Sequence, residues 1–169
     1  LTLLYADTAA DTTGLTSHTD VLALILSRRT RLSLAAAVPG TAIYFDWSGN
    51  DNVTQYVLGD TYRLFNAITE GDKEVKVYTY EATEDITVFS MSGAKLANFD
   101  GSKLTKAINV SISYAGLSEI ILPESTVFQE LDIEGNNFTD FDFGKYPSLR
   151  SISASNNNLT SLDLTRNPN

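Results

Sequence analysis

From residue 85 onward the sequence repeats every 21 residues, and this limits the possible folds more than any other feature. One column reads Leu96, Leu117, Phe138, Leu159, and three residues on another reads Phe99, Ile120, Phe141, Leu162. Ahead of them stand Phe89, Val110, Leu131, Ile152, then Met91, Ile112, Ile133, Ala154. A fifth column is Ile86, Ala107, Phe128, Leu149. Apolar columns that hold register through successive units are the mark of stacked coils, each burying an apolar side against the next. A further unit would open at residue 170, one past Asn169.

The last unit shows the pattern most fully: Leu149, Ile152, Ala154, Asn157, Leu159, Leu162 and Leu164. Ile152 and Ala154 alternate with Ser151, Ser153 and Ser155, as in a short strand with one buried face. The chain is then expected to turn at Asn157, and Leu159, Leu162 and Leu164 to return under the strand and close the coil. The third unit repeats this with Leu131, Ile133, Asn136, Phe138, Phe141 and Phe143. The spacing resembles the leucine-rich repeat, L-x-x-L-x-L-x-x-N-x-L. That resemblance implies that Asn136 and Asn157 bond turn backbone and stack into an asparagine ladder. The same column carries Ala94 and Ala115 in the first two units. The ladder is therefore expected to serve the last two coils only, with Gly93, Gly116 and nearby serines serving the others. Units of 21 residues leave little room for a helix on the outer side, so extended or 3₁₀ segments are expected there. Pro123, after Ile120, Ile121 and Leu122, is expected to alter the outer side of the second unit. The run from Asn158 to Pro168 is similar to that of surface leucine-rich proteins of gut Bacteroidetes.

Residues 21 to 80 lack this period. They read as short strands at Val21–Ser27, Arg31–Ala37, Ala42–Trp47, Val53–Leu58, Tyr62–Asn66 and Glu74–Tyr80, divided by turn signals such as Pro39-Gly40 and Gly59-Asp60. Spacing near ten residues predicts antiparallel pairing in a β-sandwich. The segment from Ile43 to Asp51 resembles the strand-and-turn element of polycystic-kidney-disease-type immunoglobulin-like domains, with Ser48 and Asn50 replacing the usual Gly and Asp. The expected fold is mainly β: an immunoglobulin-like β-sandwich at residues 21–84, then a short leucine-rich solenoid at 85–169. Residues 1–20, rich in Thr, Asp and Ala, read as an N-terminal tether. With no Pro/Gly linker near Ala82 to Asp85, the sandwich is expected to abut and cap the first coil. Leu1 to Tyr5 lack the charged leader of a signal peptide, so the chain reads as a mature or trimmed form.

Composition removes much chemistry. The chain of 169 residues has no Cys, one His (His18) and one Trp (Trp47). Cysteine nucleophiles, disulfides and cysteine metal sites are impossible, and any His-based triad would rest on His18 alone. Lys and Arg total 12 against 21 for Asp and Glu, a formal charge of −9, which disfavours phosphate-backbone binding. The charge divides as −5 up to residue 84 (six basic, eleven acidic) and −4 beyond it (six and ten), so it is not a localised tail. The longest apolar run, Val21 to Leu26, is far short of a membrane span.

The exposed strand face of the repeats is the leading site. Its rows read Val88, Asn109, Glu130, Ser151, then Ser90, Ser111, Asp132, Ser153, then Ser92, Ser113, Glu134, Ser155. Glu130, Asp132 and Glu134 form an acidic patch, with Ser111 and Ser153 beside it. Leucine-rich proteins commonly bind partners on this face, which the resemblance extends to these five residues. The plainer alternative is a solvated face kept small and polar. Asp46 and Asp51, with Ser48 and Asn50, gather oxygen ligands that could hold Ca²⁺, but the same residues make a hairpin turn, and that reading is preferred. Tyr44, Trp47, Tyr56, Tyr62, Tyr78 and Tyr80 could form a sugar platform; their alternation favours core and cross-strand pairs. Asp140/Asp142 and Glu130/Asp132 lack a water-excluding wall, so no catalytic residue and no cofactor is expected. Of four N-x-S/T sequons (Asn52, Asn109, Asn137, Asn158), three lie in the repeats, where that spacing follows from composition.

The expected role is a non-enzymatic binding or adhesion module, at a cell surface or secreted, with any lipid anchor outside residues 1–169. The expected partner is a protein or glycan, not nucleic acid, and the chain is not expected to span a membrane. The alternatives are a carbohydrate-binding accessory of a glycan-utilisation system and a passive spacer.

Overall fold

A computed structural model describes residues 21–25, 29–37, 39–46, 54–61, 63–68, 75–78, 86–93 and 95–169. The expectations for the tether, for His18, Trp47, Asp51 and Ala94, and for the 82–85 junction lie outside them. Among the described residues six strands precede residue 84: β1 (Val21–Ile25), β2 (Arg29–Ala36), β3 (Thr41–Asp46), β4 (Thr54–Leu58), β5 (Arg63–Ile68) and β6 (Val75–Tyr78). Five follow: β7 (Ile86–Ser92), β8 (Leu96–Phe99), β9 (Asn109–Ser113), β10 (Glu130–Asp132) and β11 (Ser151–Ser153). The chain is thus mainly β, with a short 3₁₀ turn at Phe143–Lys145 started by Asp142, whose Oδ1 accepts from Gly144 N at 3.1 Å.

Two sheets result. One has the order β4-β3-β6-β1-β8, and its strand pairs are antiparallel. The other is mixed, with the order β11-β10-β9-β7-β2-β5. In it β7, β9, β10 and β11 pair in parallel in steps of 21 residues: Val88 opposite Asn109, Asn109 opposite Glu130, Glu130 opposite Ser151. The five apolar columns cause this register. A slip of one residue would turn Phe89, Val110 and Leu131, now at most 2% exposed, out into water.

Two pairings cross residue 84. Strand β7 pairs antiparallel with β2, placing Phe89 opposite Leu34. Strand β8, from the outer side of the first unit, pairs antiparallel with β1, placing Phe99 opposite Ala23. The Phe89 and Phe99 rings meet at 4.9 Å between centroids, one ring from each sheet. The buried side chains of both halves accordingly form one cluster, from Leu32 and Leu58 to Phe128 and Leu149.

Local irregularities serve this packing. The β2–β7 register shifts between Ala35 and Ala36, whose partners are Val88 and Ile86. The extra residue, Thr87, lets Ile86 and Phe89 share the buried side although they are three apart, which strict alternation forbids. On the outer side of the second unit, Ile121 bridges to Asp100 and is 54% exposed, while Leu122 next to it is buried. In the last unit Leu159, Leu162 and Leu164 line one open cavity with Ile152 and Ala154 of the strand, and Leu162 and Leu164 stay 60% and 40% exposed there. Inner columns are covered by the following coil, and among the described residues none lies beyond this one.

Tyr146 is buried edge-on to Phe128, with ring centroids 5.8 Å apart. Burial, and then the charges of Glu124 and Asp142, push its phenol above the usual value of 10.0. The folded state therefore holds this proton more tightly than the unfolded chain does. Its contribution is complete below the unfolded pKa and is lost as pH rises through the folded one. Thermal melts between about pH 8 and about pH 11 should show a smaller alkaline loss for Tyr146→Phe than for the parent. Equal losses would assign the alkaline sensitivity to other groups.

Candidate functional site

Strand alternation builds the exposed face. In β9, Val110 and Ile112 point into the core, so Asn109 and Ser111 point out; in β10, buried Leu131 sends Glu130 and Asp132 out. The parallel register then aligns Ser90, Ser111, Asp132 and Ser153 across four strands. Among the described residues, every hydrogen-bond partner of the three carboxylates is neutral. Asn109 Nδ2 donates to Glu130 Oε2 at 2.6 Å, and Ser111 Oγ donates to Asp132 Oδ2 at 3.0 Å. Asp132 Oδ1 accepts the Glu134 backbone N–H at 2.9 Å. Glu134 Oε1 accepts from Tyr114 Oη at 2.7 Å and from Asn156 Nδ2 at 3.0 Å. Bonding to Glu130 leaves the buried Oδ1 of Asn109 without a partner.

The structure thus brings Glu130, Asp132, Glu134, Ser111 and Ser153 onto one face, with Glu130 exposed and the other four half-buried. Ser113, in the same set of rows, is only 6% exposed and donates to Ser92 Oγ at 2.9 Å, so it is not available to a ligand. Tyr114 was not legible as part of this face. Its column, Gly93, Tyr114, Gly135, Asn156, has a left-handed backbone throughout, with φ of 71°, 54°, 68° and 55°. Glycine at 93 and 135 and asparagine at 156 were the available signal, and the tyrosine concealed it.

Asn136 and Asn157 sit behind this face and support it. Asn136 is 4% exposed; its Oδ1 accepts from Ala115 N (3.2 Å) and Leu117 N (3.0 Å) of the preceding coil. Its Nδ2 donates to Ile112 O (2.7 Å) in that coil and Ile133 O (2.9 Å) in its own. Asn157 does the same one coil later, through Phe138 N (3.1 Å), Ile133 O (2.8 Å) and Ala154 O (3.1 Å). Each asparagine therefore serves the turn before it as well as its own. This explains how the second unit tolerates Ala115: the N–H groups of its turn bond Asn136 of the third unit, while Gly116, as expected, takes part in the turn with a φ of 76°.

The remaining candidates are dispersed. Asp46 ends β3 opposite Lys76, and among the described residues no group of three or more His, Cys, Asp or Glu is arranged to hold a metal. Tyr56 is 2% exposed and so cannot contribute to a sugar platform. Asp140 and Asp142 border a shallow outer groove of about 200 Å³ with Glu119 and Lys145, on a different side from the strand face. Among the described residues no helix is long and apolar enough to cross a membrane. No protein-family model matches the chain, and no curated protein or solved structure matches it significantly.

Proposed function

We propose that the chain is a non-enzymatic binding module, an immunoglobulin-like β-sandwich joined to a short leucine-rich solenoid, displayed at a cell surface or secreted. It recognises a protein or glycan partner through the exposed face of the parallel strands. The observation that carries this reading is the acidic patch Glu130, Asp132, Glu134, at alternate positions along one segment of the face, whose described partners are neutral donors. A face kept only for solubility has no need to fix three like charges at alternate positions of one segment, where their mutual repulsion is unfavourable. The parallel pairing in steps of 21 residues supports the solenoid, and the antiparallel pairings of β1 to β6 support the sandwich.

The test is capture of host proteins and glycans on an array by the intact chain, beside the triple variant Glu130→Lys, Asp132→Lys, Glu134→Lys. Loss of at least roughly tenfold in capture is expected, as for desolvated interface charges. Equal capture by a variant with the parent's circular dichroism would remove the strand face from recognition.

A further inference from the structure

Tyr114 is the exception in its column. Left-handed backbone is easy for glycine and tolerated by asparagine, but it is unfavourable for a bulky side chain. What this conformation positions is the ring. It lies against Gly135, where an added Cβ would come within 2.4 Å of the Tyr114 ring Cδ1, so position 135 must be glycine for the ring to rest there. The phenol is fixed by its bond to Glu134, yet 52% of Tyr114 remains exposed. Glu134 Oε2 accepts no hydrogen bond from any described residue. An exposed ring held rigid beside an available carboxylate oxygen, at the end of an acidic patch, suits a planar cation. A guanidinium can stack on the ring while donating to the carboxylate, and its charge complements Asp132 and Glu130. A neutral sugar could use the ring but would leave the patch uncompensated.

We propose that Tyr114 and Glu134 form a subsite for an arginine side chain of a basic partner segment, with Asp132 and Glu130 receiving its neighbouring cations. This rests on the strand-face reading and names the chemistry of the partner. The subsite is preorganised: ring, carboxylate and the Asn156 amide are already in place, so binding need order little of the protein.

The probe is an acetylated hexa-arginine amide, titrated into the intact chain and followed by amide chemical shifts and by calorimetry. The comparison peptide is hexa-citrulline, which keeps the shape and lacks the charge. The arginine peptide should shift Tyr114, Glu134 and Gly135, and the citrulline peptide should not. Tyr114→Gly installs the residue the column uses at positions 93 and 135, so it keeps the fold. It should weaken arginine-peptide binding by roughly fivefold, the loss of one exposed cation–π contact. Unchanged affinity in Tyr114→Gly would overturn the subsite. The strand-face reading would still stand if the triple lysine variant fails to capture its partner. Chitotriose shifting the same amides, with no response to the arginine peptide, would overturn the cationic assignment.

Discussion

Asn136→Ala should destabilise the chain by about 3–5 kcal/mol, read as a shift in the urea midpoint followed by far-UV circular dichroism. The side chain is nearly inaccessible and closes two turns at once. Its removal strands the N–H groups of Ala115 and Leu117 and the carbonyls of Ile112 and Ile133. A buried polar group left without a partner costs about 1–3 kcal/mol, and water entering the new space would restore part of that. Asn136→Asp should be no better. A carboxylate can accept from the two N–H groups, but it cannot donate to the carbonyls and would place a charge among them. Asn157→Ala should cost less, about 1–2 kcal/mol, because Asn157 is half-buried and its Oδ1 accepts one N–H rather than two. Equal effects at 136 and 157, or an unchanged midpoint at 136, would contradict the two-coil role of the inner asparagine.

Phe89→Ala should cost about 3–5 kcal/mol, the range for emptying a fully buried phenylalanine site. Phe89 has no exposed surface, and it stands where the parallel and antiparallel parts of the mixed sheet join. It also reaches the other sheet through Phe99. A loss there should be felt by both halves of the chain. Near-UV and far-UV unfolding curves are therefore expected to coincide in parent and variant, with a lower midpoint in the variant. Leu162→Ala, at a residue 60% exposed, should change stability by less than about 0.5 kcal/mol. Two separate transitions, with only the later one displaced by Phe89→Ala, would show that the halves fold independently.

The acidic patch could be read from sequence because strand alternation and the 21-residue period act together. Alternation decides that Glu130 and Asp132 share a face, and the period places Asn109 and Ser111 beside them. Hydrogen bonds at 2.6 and 3.0 Å join those same pairs. The contribution of Tyr114 could not be read in this way. A tyrosine in strand-rich sequence is expected to have an extended backbone, and only the neighbouring coils hold it at a φ of 54°. The burial of Ser113 is similar: its hydroxyl is hidden by Ser92 of the strand beside it, a partner that a list of rows does not weigh.

By itself the sequence determined the 21-residue step of β7, β9, β10 and β11, because the apolar columns of these strands can be buried together in only one register. It also determined which side of each repeat strand faces water, since a strand reverses its side chains at every residue. Which strands meet across residue 84 was decided by the tertiary structure alone. Nothing in Leu96–Phe99 distinguishes an outer segment of a coil from a partner for β1, and nothing in Ile86–Ser92 specifies β2 as its other neighbour. Backbone hydrogen bonding is alike for any extended segment, so the choice rests on non-local packing, here the meeting of Phe89 with Phe99. That packing joins what the sequence presents as two modules through one sheet and one core.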